Sequence, residues 1–498
     1  MLKTVLIIFF SLPIPLLAQN TYSLKSGTLK VTEVKNNLTI PWEIVWGPDQ
    51  HIWLTHNQGT ISRLNPKTGE LINLIKVSDI YPGNSLTDTR MMGLALHPDF
   101  ENKPFVFTNY TYKGDSYTDL NWDKYLKIVR YEYNSEENKL ENPFVVIENI
   151  PVYDGWQIGG KLLTSIDNKL YMTIGDAKQP KHPEYHPDWD ASSTPKPLDL
   201  NWYNGKIIRI NFDGSVPEDN PFAEAPYGKT AKNLIWSIGH RNTQGLVFGE
   251  NQMLYYSEHG PANDDEVGII SSGSNYGWPT VEGYCNTEEE IEYCNEHTEH
   301  KEPIYAWTPT IAPSNMEYYP YSKIPEFENS LLVATLTGNE RSGEDIRVLS
   351  LNETGDKIIN EYILFEDQAY LRIRDLCISD SGDIYFTSSN LILNSNMSLA
   401  DDDKIFKISY TENTSVTGIN KKSQIPIVLY PNPSKDYINI DCENCNGKFI
   451  TIKDILGQSL QSSTLTDSKI RFNFPYEKYN LLLIYMDEAF IGKVIIKP

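Results

Sequence analysis

One short pattern recurs along most of this chain and restricts it to an all-β fold. An apolar segment is followed by a turn rich in Gly, Pro, Asn or Asp, and then by a segment of β-branched and aromatic residues. The segments alternate with a period of two, so each copy predicts two β-strands joined by a tight turn. The six copies, of which the last two are weaker, are Glu43–His56, Leu94–Tyr110, Lys161–Asp176, Leu246–Gly260, Phe327–Leu336 and Leu376–Ser389.

The spacing of these copies indicates how the predicted hairpins are arranged. They recur at intervals of about 50 to 85 residues, which is typical of β-propeller blades that carry insertions. Six copies within residues 19–410 therefore predict a six-bladed β-propeller. Two packed β-sandwiches are the alternative fold, but they do not explain such regular recurrence. In a propeller, we expect the ligand site among the loops of one face, around the central channel.

Residues 1–18 have the features of a secretory signal peptide. Lys3 precedes an apolar run from Thr4 to Leu17, and the small residue Ala18 ends the run, so we expect cleavage after Ala18. The run is short for a membrane anchor and contains two prolines. No other apolar run of the sequence is long enough to cross a bilayer, so the sequence predicts a soluble protein after export.

The carboxyl-terminal part of the chain differs from the repeated body. Residues 411–424 are polar and lack periodicity, which is typical of a linker, and residues 425–498 form a second, compact all-β unit. Its segments YPNPS, YINI, IKDILGQSL and KVIIKP resemble the C-terminal sorting domain of the type IX secretion system. The resemblance implies a small β-sandwich that engages the secretion machinery, followed by release or attachment at the cell surface. A carbohydrate-binding sandwich is the alternative.

The charge of the chain excludes one class of partner. There are 66 acidic and 43 basic residues, and the formal net charge is −23. Binding of nucleic acid requires Lys and Arg to neutralise phosphates, so we expect no nucleic-acid partner. The balance suits an extracellular protein that stays soluble by self-repulsion, or one that holds divalent cations.

The five cysteines are compatible with an oxidising compartment. Cys285 and Cys294 flank an acidic segment and are candidates to close one small loop, and Cys442 and Cys445 are the other candidate pair. The second pair resembles half of a zinc site, but no further pair of ligands follows at a suitable spacing, so zinc is not expected there. Cys377 lies in an apolar run, which predicts a buried thiol.

One loop concentrates oxygen ligands. Asp264, Asp265 and Glu266 follow a Gly260–Pro261 turn directly. Carboxylates and backbone carbonyls are the hard oxygen donors that calcium prefers, so the loop predicts a calcium site. A solvated acidic loop without a metal is the alternative.

Several motifs together resemble one enzyme family. The segments WGPDQHIWLT, MMGLALHPDF, LYMTIGD, GKIIRINFDGSVPEDNPF, GHRNTQGL, HGPANDDE, NYGWP, PTIAPS and LRIRD are similar to those of the soluble glucose/sorbosone dehydrogenases, over residues 40–410. The resemblance implies a six-bladed propeller that binds pyrroloquinoline quinone (PQQ) and calcium on the channel face. It also implies oxidation of an aldose to its lactone, in which a His base takes the hydroxyl proton and hydride passes to the quinone.

The resemblance also assigns site residues at matching positions. Arg241 and Asn242 match residues that lie against the quinone, and Asp176 matches the aspartate that orients the catalytic histidine. The other implied positions are cofactor contacts at Thr310, Arg372 and Arg374, the catalytic calcium at the carbonyls of Gly260 and Pro261, and a structural calcium at Glu266 and Tyr276. Paired guanidinium groups suit the carboxylates of the quinone.

Three positions depart from the family pattern. Gln157, in WQIGGKL, stands where the family has its His base, and an amide cannot accept a proton at neutral pH. Thr337 stands where the family has a cofactor-binding lysine, so one positive charge is lost. An early polar position, just before MMGLALHPDF, is also altered and reads DTR at residues 88–90.

The substitution at position 157 leaves the identity of the base open. His182 and His186 follow Asp176 in an insertion, although loop histidines with local hydrogen bonds are the simpler interpretation. Asp176 itself would serve as the base if burial raised its pKa.

Three functions therefore remain. The chain is a working sugar dehydrogenase with a rearranged base, a catalytically impaired propeller that binds carbohydrate or a surface partner, or a scaffold for interactions. The retained arginines and calcium-site residues favour the first function, and the lost base and lysine favour the second. The expected formal description is a secreted oxidoreductase with a small-molecule sugar as substrate.

Overall fold

The computed structural model describes most of the chain. The described residues are 21–82, 90–114, 124–152, 157–177, 196–337, 345–365, 370, 372–389, 403–413, 427–430, 437–442, 446–454, 458–466, 469–473, 481–486 and 489–495. The predicted signal peptide, residues 88 and 89, His182, His186, Cys445 and most of the predicted linker lie outside the described residues. The chain forms two compact units, Met1–Asn413 and Thr414–Pro498. No helix in the described ranges is both long and apolar enough to span a membrane.

The first unit consists of antiparallel sheets whose strands follow one another along the chain. It begins with β1 (Thr21–Ser23) and β2 (Gly27–Lys35). Blade one contains β3 (Pro41–Trp46), β4 (Ile52–His56), β5 (Thr60–Leu64) and β6 (Leu71–Lys76). Blade two contains β7 (Met91–Leu96), β8 (Phe105–Lys113), β9 (Lys124–Asn134) and β10 (Lys139–Pro151). Blade three contains β11 (Gly159–Thr164), β12 (Lys169–Ile174), β13 (Lys206–Asn211) and β14 (Ile235–Ile238), with helix α1 (Ala231–Leu234) before β14.

The remaining blades have the same order. Blade four contains β15 (Thr243–Phe248), β16 (Leu254–Glu258), β17 (Asp265–Ile270) and β18 (Tyr305–Trp307), with helix α2 (Glu288–Glu296) before β18. Blade five contains β19 (Pro313–Tyr319), β20 (Ser330–Thr335), β21 (Ile346–Leu351) and β22 (Ile358–Leu364). Blade six contains β23 (Ile373–Ile378), β24 (Ile384–Ser388) and β25 (Ile405–Glu412), and β2 supplies its fourth strand.

The first strands of the six blades form a closed ring. Each of β3, β7, β11, β15, β19 and β23 contacts the first strand of the next blade, and β23 contacts β3. These strands are therefore the innermost ones and surround the channel. The ring is closed by pairing of β2 with β25, in which Val31 lies opposite Ile408. The predicted six-bladed propeller is confirmed.

Apolar side chains between neighbouring blades form the cores. Phe107 of blade two packs in one cluster with Met172 and Ile208 of blade three, and all three are fully buried. Full burial of such a side chain contributes about 1.5–3 kcal/mol, so each contact between blades is a substantial source of stability. The alternating pattern that predicted the strands is the pattern that fills these cores.

The hairpin prediction is wrong in detail for one of the six copies. The copy Phe327–Leu336 predicts two strands and a tight turn, but the structure has one strand there, β20. The partner of β20 is β19, in which Tyr319 lies opposite Ser330, and a ten-residue connection (320–329) separates the two strands. The turn-rich letters that suggested a hairpin belong to the end of this longer connection.

The second unit is a small β-sandwich, as predicted. Its strands are β26 (Ile427–Tyr430), β27 (Tyr437–Cys442), β28 (Phe449–Lys453), β29 (Ser459–Thr464), β30 (Lys469–Asn473), β31 (Leu481–Met486) and β32 (Ala489–Ile495). One sheet has the order β26-β27-β30 and the other β29-β28-β31-β32. Ile440 of the first sheet and Ile452 of the second share a single buried core.

Candidate active site

The predicted site residues gather on one face of the propeller. Because neighbouring strands of a blade are antiparallel, the start of each innermost strand lies beside the end of the second strand. Gln157 precedes β11 and Asp176 follows β12, and Arg241 and Asn242 precede β15. At equivalent ends of the later blades, Gly260 and Pro261 follow β16, Thr310 precedes β19, Thr337 follows β20, and Arg372 and Arg374 lie at the start of β23.

Gln157 joins the two groups on either side of it. In the amide orientation that satisfies both partners, Nε2 donates to Asp176 Oδ1 (3.0 Å) and Oε1 accepts from Arg241 Nη2 (2.6 Å). Asp176 is buried, with 1% of its surface exposed. Position 157 thus holds a carboxylate and a guanidinium in a fixed arrangement, but its amide offers no proton acceptor at neutral pH.

Trp278 also contacts Asp176, a contact that the sequence did not predict. Its indole Nε1 donates to Asp176 Oδ2 (2.9 Å), and the guanidinium of Arg241 lies over its ring, 5.4 Å from a ring centroid. The backbone N–H of Trp278 donates to the carbonyl of Gly239 (3.0 Å), which holds the backbone of Trp278 beside the segment that contains Arg241. An indole N–H needs a partner when it is covered, but nothing in the local sequence indicates one 102 positions away.

A close approach of two backbone segments sets this arrangement. A Cβ atom on Gly175 would lie 1.9 Å from the carbonyl oxygen of Gln157, so only glycine fits between them. The N–H of Asp176 donates to the carbonyl of Arg241 (2.7 Å), which joins blade three to blade four. The backbone therefore positions Asp176 independently of its side-chain contacts.

Asn242, a predicted quinone contact, has a bridging role in the structure. Its Oδ1 accepts hydrogen bonds from the N–H of Gly159 (3.2 Å) and from Gln244 Nε2 (3.0 Å). Gln244 Oε1 in turn accepts from Arg374 Nη2 (3.1 Å). Blades three, four and six are thus connected by polar side chains at this face.

Two arginines concentrate positive charge at the start of β23. Arg374 lies over the ring of Trp42, 3.6 Å from a ring centroid, and its buried Nε has no hydrogen-bond partner among the described residues. Burial and the charge of Arg372 lower the pKa of Arg374 to about 10, so the group remains protonated at neutral pH. A buried guanidinium with an unused donor and a like charge nearby is an environment that favours an anion.

His259 is a further side chain of this face. Its Nε2 lies 2.8 Å from the carbonyl oxygen of Pro313, which can only accept, so Nε2 carries the proton. Its own carbonyl accepts from Arg241 Nη1 (2.9 Å). Burial, and then the charge of Arg241, lower the pKa of His259 to about 3, so its imidazole is neutral.

The acidic loop after β16 is anchored by Asp265. Its Oδ1 accepts the N–H of Gly260 (2.7 Å), and its Oδ2 accepts those of Ile311 (2.7 Å) and Ala312 (2.6 Å). Asp265 therefore fixes the Gly260–Pro261 turn against the segment that contains Thr310. The N–H of Thr337 donates to the carbonyl of Ile311 (3.3 Å), so Thr337 borders the same segment.

Glu266 points into a buried polar cluster. It lies opposite Glu258 in the β16–β17 ladder, and its Oε1 accepts from the hydroxyl of Tyr256 (2.6 Å). Burial, and then the charge of Glu258, raise the pKa of Glu266 to about 8. The hydroxyl of Tyr276 donates a hydrogen bond to the carbonyl of Ile269 (2.7 Å), so Tyr276 would bind calcium through its backbone carbonyl and not through its side chain.

Calcium at these loops would depend on backbone oxygens. Among the described residues, the one group of three or more His, Cys, Asp and Glu side chains with ligand atoms within 4.8 Å of one another is Cys285, Cys294 and His300. No trio of carboxylates in the described ranges meets that distance, so a calcium ion at the Gly260–Pro261 turn would depend on the carbonyl oxygens of these residues.

The fold and the polar site on one face define a six-bladed propeller of the enzyme type, and sequence comparison places it in a family. A profile of the glucose/sorbosone dehydrogenases matches residues 38–393, so the chain belongs to this family. A profile of the secretion system C-terminal sorting domain matches residues 428–480. The family and the sorting domain predicted from the motifs are both confirmed.

Individual relatives agree with this assignment. Quinoprotein glucose dehydrogenase B of Acinetobacter calcoaceticus is 36% identical over 277 residues, which cover 54% of this chain and 56% of that protein. Aldose sugar dehydrogenase YliI of Escherichia coli K12 is 27% identical over 387 residues, 76% of this chain and 94% of that one. The PQQ-bound aldose sugar dehydrogenase of Streptomyces coelicolor shares the fold, with a TM-score of 0.60 at 24% identity, covering 77% of this chain and 98% of that one.

Proposed function

We propose that the mature protein is a PQQ-dependent oxidoreductase that oxidises an aldose at its anomeric carbon to the lactone. One observation carries the proposal: the buried Nε of Arg374 is unpartnered among the described residues, on the face that also holds Asp176 and Arg241. A buried cation with one unused donor, on the same face as a fixed carboxylate, suits an anionic cofactor and a hydroxylated substrate. Membership of the sugar dehydrogenase family supports the same class of reaction.

The residues present fit a planar, polyanionic quinone. Arg372 and Arg374 would hold its carboxylates, and Arg241 would stabilise negative charge on its ring system. Asn242 and Thr310 would border the cofactor, and Thr337 supplies no charge where the family has a lysine. When bound, PQQ supplies the oxidant that accepts hydride from the anomeric carbon.

The residues present also fit calcium, through oxygen donors of two kinds. The carbonyls of Gly260 and Pro261 would hold one ion beside the cofactor, where it would add positive charge. Glu266, together with the backbone carbonyl of Tyr276, would hold a second ion. The side chains of Glu266 and Glu258 are opposed and buried, which raises the pKa of Glu266 to about 8, and a divalent cation would favour the ionised form of this carboxyl.

The substrate hydroxyl must lose a proton, and we assign its acceptor to Asp176. The amide of Gln157 cannot take the proton, whereas Asp176 lies 3.0 Å away from that amide and belongs to the same face. Gln157 and Trp278 each donate one hydrogen bond to it, so its two oxygens are held in position. Gln157 is thus a positioning residue, and Arg241 keeps positive charge beside the site.

Export is the remaining part of the proposal. The sorting domain indicates secretion, and we propose that the signal peptide of residues 1–18 and a type IX secretion system carry the protein to the cell surface or beyond. Residues 19–410 then act as the dehydrogenase propeller, residues 411–424 as a linker and residues 425–498 as the sorting domain.

Equilibrium binding of PQQ to the calcium-loaded protein tests the arginine assignment. Arg374→Ala is expected to weaken PQQ binding by about 10- to 100-fold, because a charge-assisted hydrogen bond contributes about 1.5–3 kcal/mol. Arg471→Ala, an exposed-strand substitution in the second unit, is the matched control and should leave the affinity within about twofold. Equal affinities for Arg374→Ala and wild type would refute this role for Arg374.

A further inference from the structure

The insertion between β17 and β18 brings together three side chains of soft-metal chemistry. Cys285 and Cys294, nine positions apart in the sequence, form a disulfide, and Cys294 lies in helix α2. His300 approaches the same point, so that one ring nitrogen and both sulfur atoms lie within 4.8 Å of one another. All three residues are half-buried, so they are shielded but still accessible from solvent.

The ring nitrogens of His300 are buried beside the two sulfur atoms. Neither ring nitrogen makes a hydrogen bond of standard geometry within the described residues, although the backbone of Asn275 lies within reach of the ring. His297, three residues earlier, is different because its Nδ1 lies 2.9 Å from the carbonyl of Tyr293. A buried imidazole nitrogen next to two sulfur atoms is a candidate ligand set.

We propose that reduction of the Cys285–Cys294 disulfide creates a Cys2His site for zinc or a similar thiophilic cation. A dithiol or phosphine reductant supplies two electrons, the disulfide takes them up with two protons, and the reductant is oxidised. The cation then displaces the two thiol protons and binds both thiolates, and it accepts the lone pair of a His300 nitrogen. Two thiolates and one imidazole with an open fourth position are a recognised donor set for zinc.

A carboxylate supports one of the ligands from outside. Glu302 Oε1 accepts the N–H of Cys285 (2.9 Å), which holds the backbone of this cysteine whether the sulfur is oxidised or reduced. Such support around a metal ligand sets its orientation and tunes its affinity. The proposal therefore uses residues of a single insertion and does not depend on the quinone or on sugar oxidation.

Metal binding and disulfide reduction are coupled in this arrangement. The cation binds the reduced form alone, so it shifts the equilibrium toward the dithiol. Each tenfold increase of zinc above its dissociation constant is expected to raise the reduction potential of the disulfide by about 30 mV. Zinc thus makes this disulfide easier to reduce.

The test is metal titration of the full-length mature protein carrying Cys442→Ser and Cys445→Ser, which removes the other candidate thiol ligands. Saturating calcium occupies the oxygen sites, and the protein is compared before and after reduction with a phosphine. The reduced protein is expected to bind one zinc or cobalt ion, with thiolate-to-cobalt absorption, and the oxidised protein none. His300→Ala should weaken zinc binding by about tenfold or more, and His297→Ala should stay within about twofold.

Several results would overturn the proposal. They are no zinc binding by the reduced protein, equal binding by the oxidised protein, and equal effects of His300→Ala and His297→Ala. Loss of the folded circular-dichroism spectrum on reduction would also overturn it, because no folded dithiol state would then exist to bind metal.

Discussion

At the scale of single residues, the proposed proton acceptor depends on the side chain at position 157. Gln157 binds both Asp176 and Arg241, so it maintains the geometry of the site without supplying a base. Trp278 adds a second donor to Asp176. The carboxylate is therefore fixed on both oxygens, and proton transfer is expected to pass through Asp176.

This assignment makes a direct prediction for Asp176. Asp176→Asn keeps the shape of the side chain but removes the proton acceptor, so kcat/KM for sugar-dependent dye reduction should fall by about 100-fold or more. Asp213→Asn, at an exposed turn of the same blade, is the matched control and should remain near wild type. PQQ affinity, measured in parallel, should change little in either variant.

A complementary substitution introduces the family's base. Gln157→His is expected to raise kcat/KM by about 100-fold, and the acid limb of its pH profile should lie near 6.5, the usual pKa of histidine. Gln157→Ala removes the amide without adding a base and should show no gain. The assignment of Asp176 as proton acceptor is contradicted if Asp176→Asn is as active as wild type. The role of position 157 is contradicted if kcat/KM of Gln157→His is no higher than that of Gln157→Ala.

At the scale of strands and loops, ligands and burial determine how blades respond to calcium and pH. The β16–β17 ladder places Glu258 and Glu266 opposite each other. Calcium bound to the native state stabilises it by mass action, by about 2.7 kcal/mol at a concentration 100-fold above the dissociation constant. Calcium should therefore raise the melting temperature of wild type, and Glu266→Gln should reduce that increase.

The calcium prediction has a simple control in the same blade. Glu250→Gln alters an exposed glutamate in the β15–β16 turn and should retain the full calcium response. Without calcium, Glu266→Gln should be about as stable as wild type near neutral pH, because burial raises the pKa of Glu266 to about 8 and its carboxyl is then mostly protonated. If calcium does not change the melting temperature of the wild-type protein, the metal assignment is contradicted.

His56, the last residue of β4, gives a pH prediction. Burial is the main cause that lowers its pKa to about 4, with a further contribution from Lys76. The unfolded chain has a histidine pKa near 6.5, so between about pH 6.5 and 4 the unfolded state binds more protons than the folded state. Stability should therefore fall on acidification through this window, by up to about 1.4 kcal/mol per pH unit from this group.

Substitution isolates this contribution. Nε2 of His56 lies 3.0 Å from Ser62 Oγ, a contact that an amide can also make. His56→Gln should lose less stability between pH 7 and pH 5 than wild type does, as measured by denaturant unfolding at each pH. Identical pH dependence in the two proteins would show that the imidazole is not protonated on unfolding.

The strands of the propeller could be predicted from the sequence, whereas helix α2 and one contact of the site could not. Period-two alternation predicted the strands because the buried face of each blade is apolar. Helix α2 was missed, although Thr287 and Glu290 form a capping box at its start, because its residues are mostly acidic and lack an apolar face. The approach of Trp278 to Asp176 was not predictable, since it joins residues 102 positions apart through the packing of neighbouring blades.

At the scale of the whole molecule, closure of the ring makes the site possible. Pairing of β2 with β25 joins the two ends of the propeller, and the first strands then surround one channel in a fixed order. Asp176, Arg241 and Arg374 come from three different blades, so the complete site requires these blades to pack around one channel. The sorting domain is a separate unit with its own core, consistent with a function in export.

Motif order predicted this architecture well, because each blade is a local unit. The site was predicted only residue by residue, through resemblance to the family. At positions that differ from the family pattern, the resemblance does not predict what the new side chain does. Gln157 and Thr337 remove a base and a cation, whereas Arg372 and Arg374 remain close together at the start of β23. Binding of PQQ to the folded protein measures whether the retained arginines hold the cofactor without the lysine.

The most direct test is a titration of the purified, calcium-loaded mature protein with PQQ, followed by addition of an aldose and a dye acceptor. We expect saturable, calcium-dependent PQQ binding, and dye reduction that requires the sugar. Absence of PQQ binding by the folded protein, or PQQ binding without dye reduction for any aldose, would contradict the proposed function.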